Sequence, residues 1–302
     1  MPELPDITIY LEALDRRVVG KSLRTYALKS PFVLRSVSPP IDALVESRVT
    51  GTQRLGKRVV LEFERGLYVV IHLMVGGRLR WLAPGKKLPG KIALAEFDFG
   101  DGRLVLTEAA KKKRASIHVV DGRAGLRAFD RGGLDVLAAS RDDFARRLRS
   151  ESHTLKRALT DPTLFDGIGN AYSDEILHRA RLSPLTLTGK LDDASIERLR
   201  RACVGELTEW TARLRSSAGD GWPEKVTAFR EGFAVHGRYR LPCPDCGSPV
   251  QRIRYADNET NYCAACQTSG KLLADRGLSR LLKDDWPRSI DEFDKEREKR
   301  SE

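Results

Sequence analysis

Four cysteines stand in two matched pairs, Cys243-Pro-Asp-Cys246 and Cys263-Ala-Ala-Cys266, with sixteen residues between the pairs. That separation falls within the window of tetrahedral four-thiolate zinc sites. A two-residue gap lets both thiolates of a pair point inward from one tight turn, at roughly 2.3 Å from a shared metal. Between the pairs, Arg252 and Arg254 alternate with aliphatic residues before the chain turns at Asp257-Asn258. This is the pattern of a β-hairpin carrying positive charge. The expectation is one structural zinc ion held by Cys243, Cys246, Cys263 and Cys266, supporting a basic ribbon. Two redox dithiols or a pair of disulfides are the alternatives, although neither requires two matched pairs at this separation. The fifth cysteine, Cys203, falls on the apolar stripe Ile196, Leu199, Cys203, Leu207, Trp210, Leu214 and reads as a packed core thiol.

A second constellation runs from Asp166 through Gly167, Ile168, Gly169 and Asn170 to Asp174 and Glu175. Glycines beside an asparagine at a helix start place backbone N–H groups where an anion can sit, although alone such a segment is an ordinary tight turn. Lys156 and Arg157 lie on the preceding helix, which leads here through turns at Asp161-Pro162 and Asp166-Gly167. A helix, two turns and a second helix, with basic residues facing the turn, make a clamp for a DNA backbone. The balance of charge agrees: 53 Lys and Arg against 42 Asp and Glu give the 302 residues a net charge of +11, which favours polyanions. No apolar run approaches the ~18 residues of a membrane span. The start, MPELPD, is the opposite of a signal peptide. A monomer in the cytoplasm, nucleoid-associated if bacterial, is therefore expected, with its cysteines reduced. His72, His118, His153, His178 and His236 show no ligand spacing and read as structural or exposed.

The elements that must position these groups follow from periodicity. Asp6 is placed to cap a helix with apolar positions Ile7, Tyr10, Leu11, Leu14 and Val18, ended by Gly20. From Ser22 to about Val120 short alternating runs take over, with hairpins expected at 58–73 and 94–108, the second pivoting on Asp101-Gly102. Residues 121–140 read as loop, and helical periodicity starts at Arg141 and lasts until the Gly- and Pro-bearing stretch Ser216–Pro223. The expected fold class is a multidomain α+β protein. It comprises a β-sandwich or barrel with a leading helix over 1–135, a helical domain over 141–235, the cysteine hairpin over 236–270 and a charged extension over 271–302. The last turns of that extension are expected to be disordered.

Pro2-Glu3-Leu4-Pro5 at the start, GIGNAYSDE at 167–175 and the four-cysteine finger at the end resemble the formamidopyrimidine-DNA glycosylase and endonuclease VIII family. The three motifs occur in the family's order and span nearly the whole chain. The resemblance implies that the first three segments are an N-terminal β-sandwich, a helix–two-turns–helix domain and a zinc finger. It also implies a bifunctional DNA glycosylase and AP lyase of base excision repair, acting on double-stranded damaged DNA. Met1 before a proline is normally removed, which leaves Pro2 a free secondary amine. With a pKa of about 8, an α-amine is partly unprotonated at neutral pH. Its attack on the sugar C1′ gives an iminium that drives β- and δ-elimination. By the same resemblance Glu3 is the acid/base at the sugar ring oxygen, Lys57 sits on a hairpin near the phosphate and the lesion, and Asn170 contacts a DNA phosphate.

The chain departs from the family pattern at the wedge, the Arg-Arg-Phe loop, the lesion-covering loop and the finger tip. The wedge methionine expected after His72-Leu73 is Met74, one position early. The loop that should carry Arg-Arg-Phe reads Lys111-Lys112-Lys113-Arg114, which keeps the charge, with Lys112 as the candidate contact, and loses the aromatic. The segment Ser216–Phe233 is also short for a loop covering 8-oxoguanine. At the finger tip Asn258 replaces the expected arginine, which leaves Arg252 or Arg254 as candidates for the phosphate contact. The second reading is a non-catalytic zinc-finger protein that binds damaged or bent DNA. A zinc-ribbon RNA or ribosome binder would account for the charge and the zinc but not for the chain start.

Overall fold

The apolar spacing near the chain start produces helix α1 (Leu4–Val18), which buries Ile7, Tyr10, Leu14 and Val18. The structure is a computed structural model that describes residues 1–227, 229–254 and 258–273. The helix begins before the expected cap. Pro5 lies in its first turn, where a preset φ favours entry, so Asp6 falls inside and its carboxylate accepts the Glu3 N–H at 2.8 Å. Gly20, at φ 82°, follows the helix end.

The chain divides into two compact units, of which the first comprises Met1–Gly133 with Thr208–Ala228. It contains β1 (Thr25–Leu28), β2 (Val49–Leu55), β3 (Arg58–Phe63), β4 (Leu67–His72), β5 (Gly77–Leu82), β6 (Ala93–Asp98), β7 (Arg103–Glu108) and β8 (Ser116–Asp121). These form two four-stranded antiparallel sheets, ordered β1-β6-β7-β5 and β2-β3-β4-β8. Both expected hairpins are present, with Val60 opposite Val70 and Phe97 opposite Leu104. Gly102 is required at the second turn, because a Cβ there would lie 2.2 Å from the Trp81 ring. Alternate residues Val59, Leu61, Val69 and Ile71 share one apolar core with Leu79, Phe97, Leu104, Leu106 and the buried face of α1. Each such side chain contributes about 1.5–3 kcal/mol of burial. The arrangement is a sandwich with a leading helix. A short helix, α2 (Gly122–Arg127), occupies part of the segment that reads as loop.

The second unit comprises Leu134–Leu207 with Phe229–Glu302. Its helices are α3 (Arg141–Arg149), capped by Ser140, α4 (Leu155–Thr160), capped by Thr154, and α5 (Asn170–Arg179). Helix α6 (Asp193–Ala218) starts here and ends in the first unit. Every member of its expected stripe is buried, Cys203 among them, and burial pushes that thiol's pKa well up. Strands β9 (Val250–Arg254) and β10 (Glu259–Cys263) pair antiparallel, with Ile253 opposite Thr260, and α7 (Ala264–Thr268) follows. Of the expected hairpin turn, Asp257 lies outside the described residues, as does the charged extension from 274 onward.

Candidate active site, nucleic-acid interface and metal centre

In the first unit the chain start is drawn into the protein. Pro2, Glu3 and Asp6 are buried. Burial holds the Met1 amine below its ordinary pKa, assisted by the nearby charges of Arg78 and Lys57 and opposed by Glu3 and Asp6. The start, Glu3 and Lys57 are thus within electrostatic reach of one another. Lys57 is there because β2 and β3 are joined by the two-residue turn Gly56-Lys57, with Gly56 at φ 64° in the place a type II′ turn gives to glycine. Arg78 is absent from the sequence-based set. Its guanidinium braces the β4–β5 turn by donating to the carbonyls of Val75 at 3.1 Å and Gly77 at 2.7 Å. Burial first, then the charges of Arg58 and Lys57, push His72 down to about 4, so it is neutral at physiological pH.

That β4–β5 turn carries Met74, which is half-buried at φ 52°, while Val75 beside it is 62% exposed. The turn closes through a Gly77 N–H bond to the Leu73 carbonyl at 2.8 Å, and a Cβ on Gly77 would lie 2.2 Å from that same oxygen. Lys112 is exposed on the loop after β7 with Lys111, Lys113 and Arg114. Glu108, buried at the end of β7, anchors this loop by accepting the N–H groups of Arg114 at 2.8 Å and Ala115 at 3.0 Å.

In the second unit, Lys156, Arg157, Asn170, Asn258 and Thr260 line one cavity of about 740 Å³. The Asn170 side-chain amide donates to the Glu259 carbonyl at 3.0 Å, tying the start of α5 to β10. Lys156 lines the cavity, but its ammonium is committed elsewhere. It donates to Asp174 Oδ1 at 2.5 Å and to the Asn170 carbonyl at 2.7 Å, with side-chain exposures of 10% for Lys156 and 0% for Asp174. Lys156 thereby holds the helix start in place, with two of its three N–H donors used inside the protein. Arg252 and Arg254 lie away from this cavity. Ile253 and Thr260 face the cavity, so the pleat puts these arginines on the other side of the hairpin. There Arg252 stacks on Tyr239 at 4.1 Å and pairs with Glu259 at 3.5 Å.

Two carboxylates of the GIGNAYSDE segment have roles that its sequence does not announce. Asp174 also meets His236 Nδ1 at 2.7 Å and the Asn261 amide at 3.5 Å. Glu175 accepts the N–H groups of Ala234 at 2.6 Å, Val235 at 2.9 Å and His236 at 2.7 Å. Burial raises Glu175 to about 7, against the lowering effect of those three bonds.

The sulfurs of Cys243, Cys246, Cys263 and Cys266 lie within 4.8 Å of one another. Cys246 and Cys263 are 3.4 Å apart, and Cys243 and Cys266 are 4.0 Å apart. A tetrahedron with ~2.3 Å metal–sulfur bonds has edges of ~3.8 Å, so the cluster has the dimensions of a four-thiolate zinc site. His178, on α5, places Nε2 3.2 Å from Cys243 Sγ.

Comparison with known proteins places the chain. The formamidopyrimidine-DNA glycosylase N-terminal domain matches residues 1–121, and that enzyme's H2TH domain matches residues 135–214. A formamidopyrimidine-DNA glycosylase of Chloroflexus aggregans is 31% identical over 278 residues, covering 88% of this chain and 98% of that protein. The chain belongs to the formamidopyrimidine-DNA glycosylase family. An uncharacterised formamidopyrimidine-DNA glycosylase-like protein of Mycobacterium tuberculosis is 44% identical over 151 residues, covering 50% of this chain and 94% of that one. The fold is that of the Lactococcus lactis Fpg in complex with abasic-site DNA, with a TM-score of 0.78 and 23% identity over 88% of this chain and 99% of that one. Seen as a formamidopyrimidine-DNA glycosylase family member, the chain carries Pro2, Glu3 and Lys57 in its N-terminal domain and Lys156 and Asn170 in its H2TH domain.

Proposed function

We propose that this protein is a bifunctional DNA glycosylase and AP lyase of base excision repair, with Pro2 as nucleophile. The observation that carries the proposal is the buried chain start, where Pro2 and Glu3 are both buried and Lys57 and Arg78 act electrostatically on the terminus. Once Met1 is removed, the secondary amine of Pro2 takes that position. Its lone pair attacks C1′ of a damaged nucleotide, the base leaves with the electrons of the glycosidic bond, and the proton shed by the Pro2 nitrogen offsets the negative charge on the departing base. Glu3 delivers a proton to the ring oxygen, the sugar opens, and a C1′ iminium forms. The iminium withdraws electrons as a 2′ proton is lost and the 3′ phosphate departs, after which the 5′ phosphate is eliminated. Lys57 neutralises a phosphate next to the reacting sugar.

The second amide N–H of Asn170, Arg157 and Asn258 supply phosphate contacts from the cavity of the second unit, and Lys112 adds charge from its loop. Zinc at Cys243, Cys246, Cys263 and Cys266 is structural and takes no part in the chemistry. The acting form is a monomer on double-stranded damaged DNA. With Met74 half-buried and no aromatic in the 109–115 loop, ring-opened purines, oxidised pyrimidines and abasic sites are preferred to 8-oxoguanine opposite cytosine. A poorly stacked base costs less to extrude.

The test is a cleavage assay on duplexes carrying an abasic site, a ring-opened purine or 8-oxoguanine. The expected result is β,δ-elimination on the first two substrates, weak action on the third, and loss of cleavage with retained binding in Pro2→Gly. Binding to abasic DNA without cleavage, with Met1 confirmed absent, would establish the non-catalytic binder instead. Efficient excision of 8-oxoguanine from a C-paired duplex would refute the lesion preference.

A further inference from the structure

We infer that His178 is a positioning residue for the metal centre, donating an N–H bond from α5 to the Cys243 thiolate and so tying the finger's metal core to the DNA-gripping helix. This rests on the zinc reading above and goes beyond it. Four thiolates around a divalent cation carry two net negative charges, which a buried cluster must have answered by donors. The finger supplies some of these itself: the Cys266 N–H reaches Cys263 Sγ at 3.5 Å, and Ser248 bonds to Cys246 through its backbone and side chain. Cys243 is buried, and its sulfur meets His178 Nε2 at 3.2 Å. A metal-bound thiolate can only accept, so this contact requires the proton on Nε2.

His178 is also the third member of a polar row on α5. Asp174, Glu175 and His178 are all buried, and one turn of helix brings the first and last to the same face. Asp174 binds His236 and Asn261, Glu175 binds the backbone of residues 234–236, and His178 binds Cys243. All of these partners lie in the segment that precedes or builds the finger. The row therefore fixes the finger against the helix whose first residue, Asn170, faces the cavity. Metal retention and the placement of Asn170 are coupled through one helix.

The experiment uses the full-length zinc-loaded protein and its cobalt-substituted form, with His178→Phe to remove the donor and His178→Gln to keep an N–H near the same place. Zinc release to a chromogenic chelator should be about 10-fold or more faster in His178→Phe, with substantial recovery in His178→Gln. The sulfur-to-cobalt charge-transfer band should move in His178→Phe and return toward the wild-type position in His178→Gln, with four-thiolate absorption throughout. Identical release rates and spectra in all three proteins would overturn the inference, as would a cobalt spectrum showing nitrogen ligation in the wild type. If His178→Phe does not fold, the His178→Gln release rate and spectrum decide alone: both must stay near wild type. Wild-type protein without one equivalent of zinc would instead defeat the zinc reading itself.

Discussion

Replacing Lys156 by methionine separates two roles for this residue that a binding assay alone would confuse. Lys156 and Asp174 form a buried pair at 2.5 Å, and the lysine also holds the Asn170 carbonyl at 2.7 Å. Removing one partner of a buried pair costs about 3–5 kcal/mol, because the other charge is left without its counterion. Asp174 would retain His236 at 2.7 Å and Asn261 at 3.5 Å, which places the loss near the lower end, about 3 kcal/mol. For a unit of this size each kcal/mol moves the melting temperature by roughly 2–4 °C, so a fall of about 6–12 °C is expected. The companion measurement is the salt dependence of binding to an abasic duplex. A side chain committed to Asp174 releases no counterion, so the log–log slope of Lys156→Met should match wild type. A phosphate-binding lysine would instead lower its magnitude by about 0.9. Lys156→Met/Asp174→Asn should recover part of the lost stability. An unchanged melting temperature together with a slope reduced by about 0.9 would refute the structural role.

Metal analysis should give one zinc per chain. Replacing Cys263 by serine should abolish zinc retention and unfold the finger, since a structural zinc contributes on the order of 10 kcal/mol in small modules; full zinc content in that variant would contradict the four-cysteine site. Glu3→Gln should suppress base excision more than cleavage of preformed abasic sites, because the lyase step needs no activation of the glycosidic bond. Equal losses in both assays would argue against that division. Burial lowers the pKa of the Met1 amine, and the Pro2 amine that Met1 removal exposes lies in the same buried segment. Borohydride trapping on abasic DNA should rise with pH through a midpoint below the ordinary α-amine value of about 8. A midpoint well above 8 would point to a lysine instead.

The parts of this protein that could be read from its sequence are those whose physics is local. Alternation marked the β3–β4 and β6–β7 hairpins because each strand has one face in the core. Cysteine spacing marked the four-sulfur cluster because a two-residue gap lets both thiols of a pair point the same way. The limits are equally physical. Helix α2 is six residues long and contains Gly122 and Gly125, too short to show periodicity. Asp6 has the look of a cap, but Pro5 starts the helix ahead of it. The true partner of Lys156 is eighteen residues away on another helix, so its burial is a property of packing. The displacement of Arg252 and Arg254 from the cavity depends on which face of a two-stranded ribbon packs inward, and alternation alone cannot assign that. Arg78 escaped notice because its partners are backbone carbonyls, and His178, which reads as structural or exposed, could not be matched to its partner because that is a distant thiol.

The most direct test of the central claim is to identify the residue that carries the sugar. Protein with Met1 removed would be reduced with borohydride on an abasic duplex, digested, and the adducted peptide sequenced by tandem mass spectrometry. The account predicts the adduct on the nitrogen of Pro2, in the peptide that begins Pro2-Glu3-Leu4-Pro5. An adduct on Lys57 or any other lysine, or no adduct at all, would contradict it.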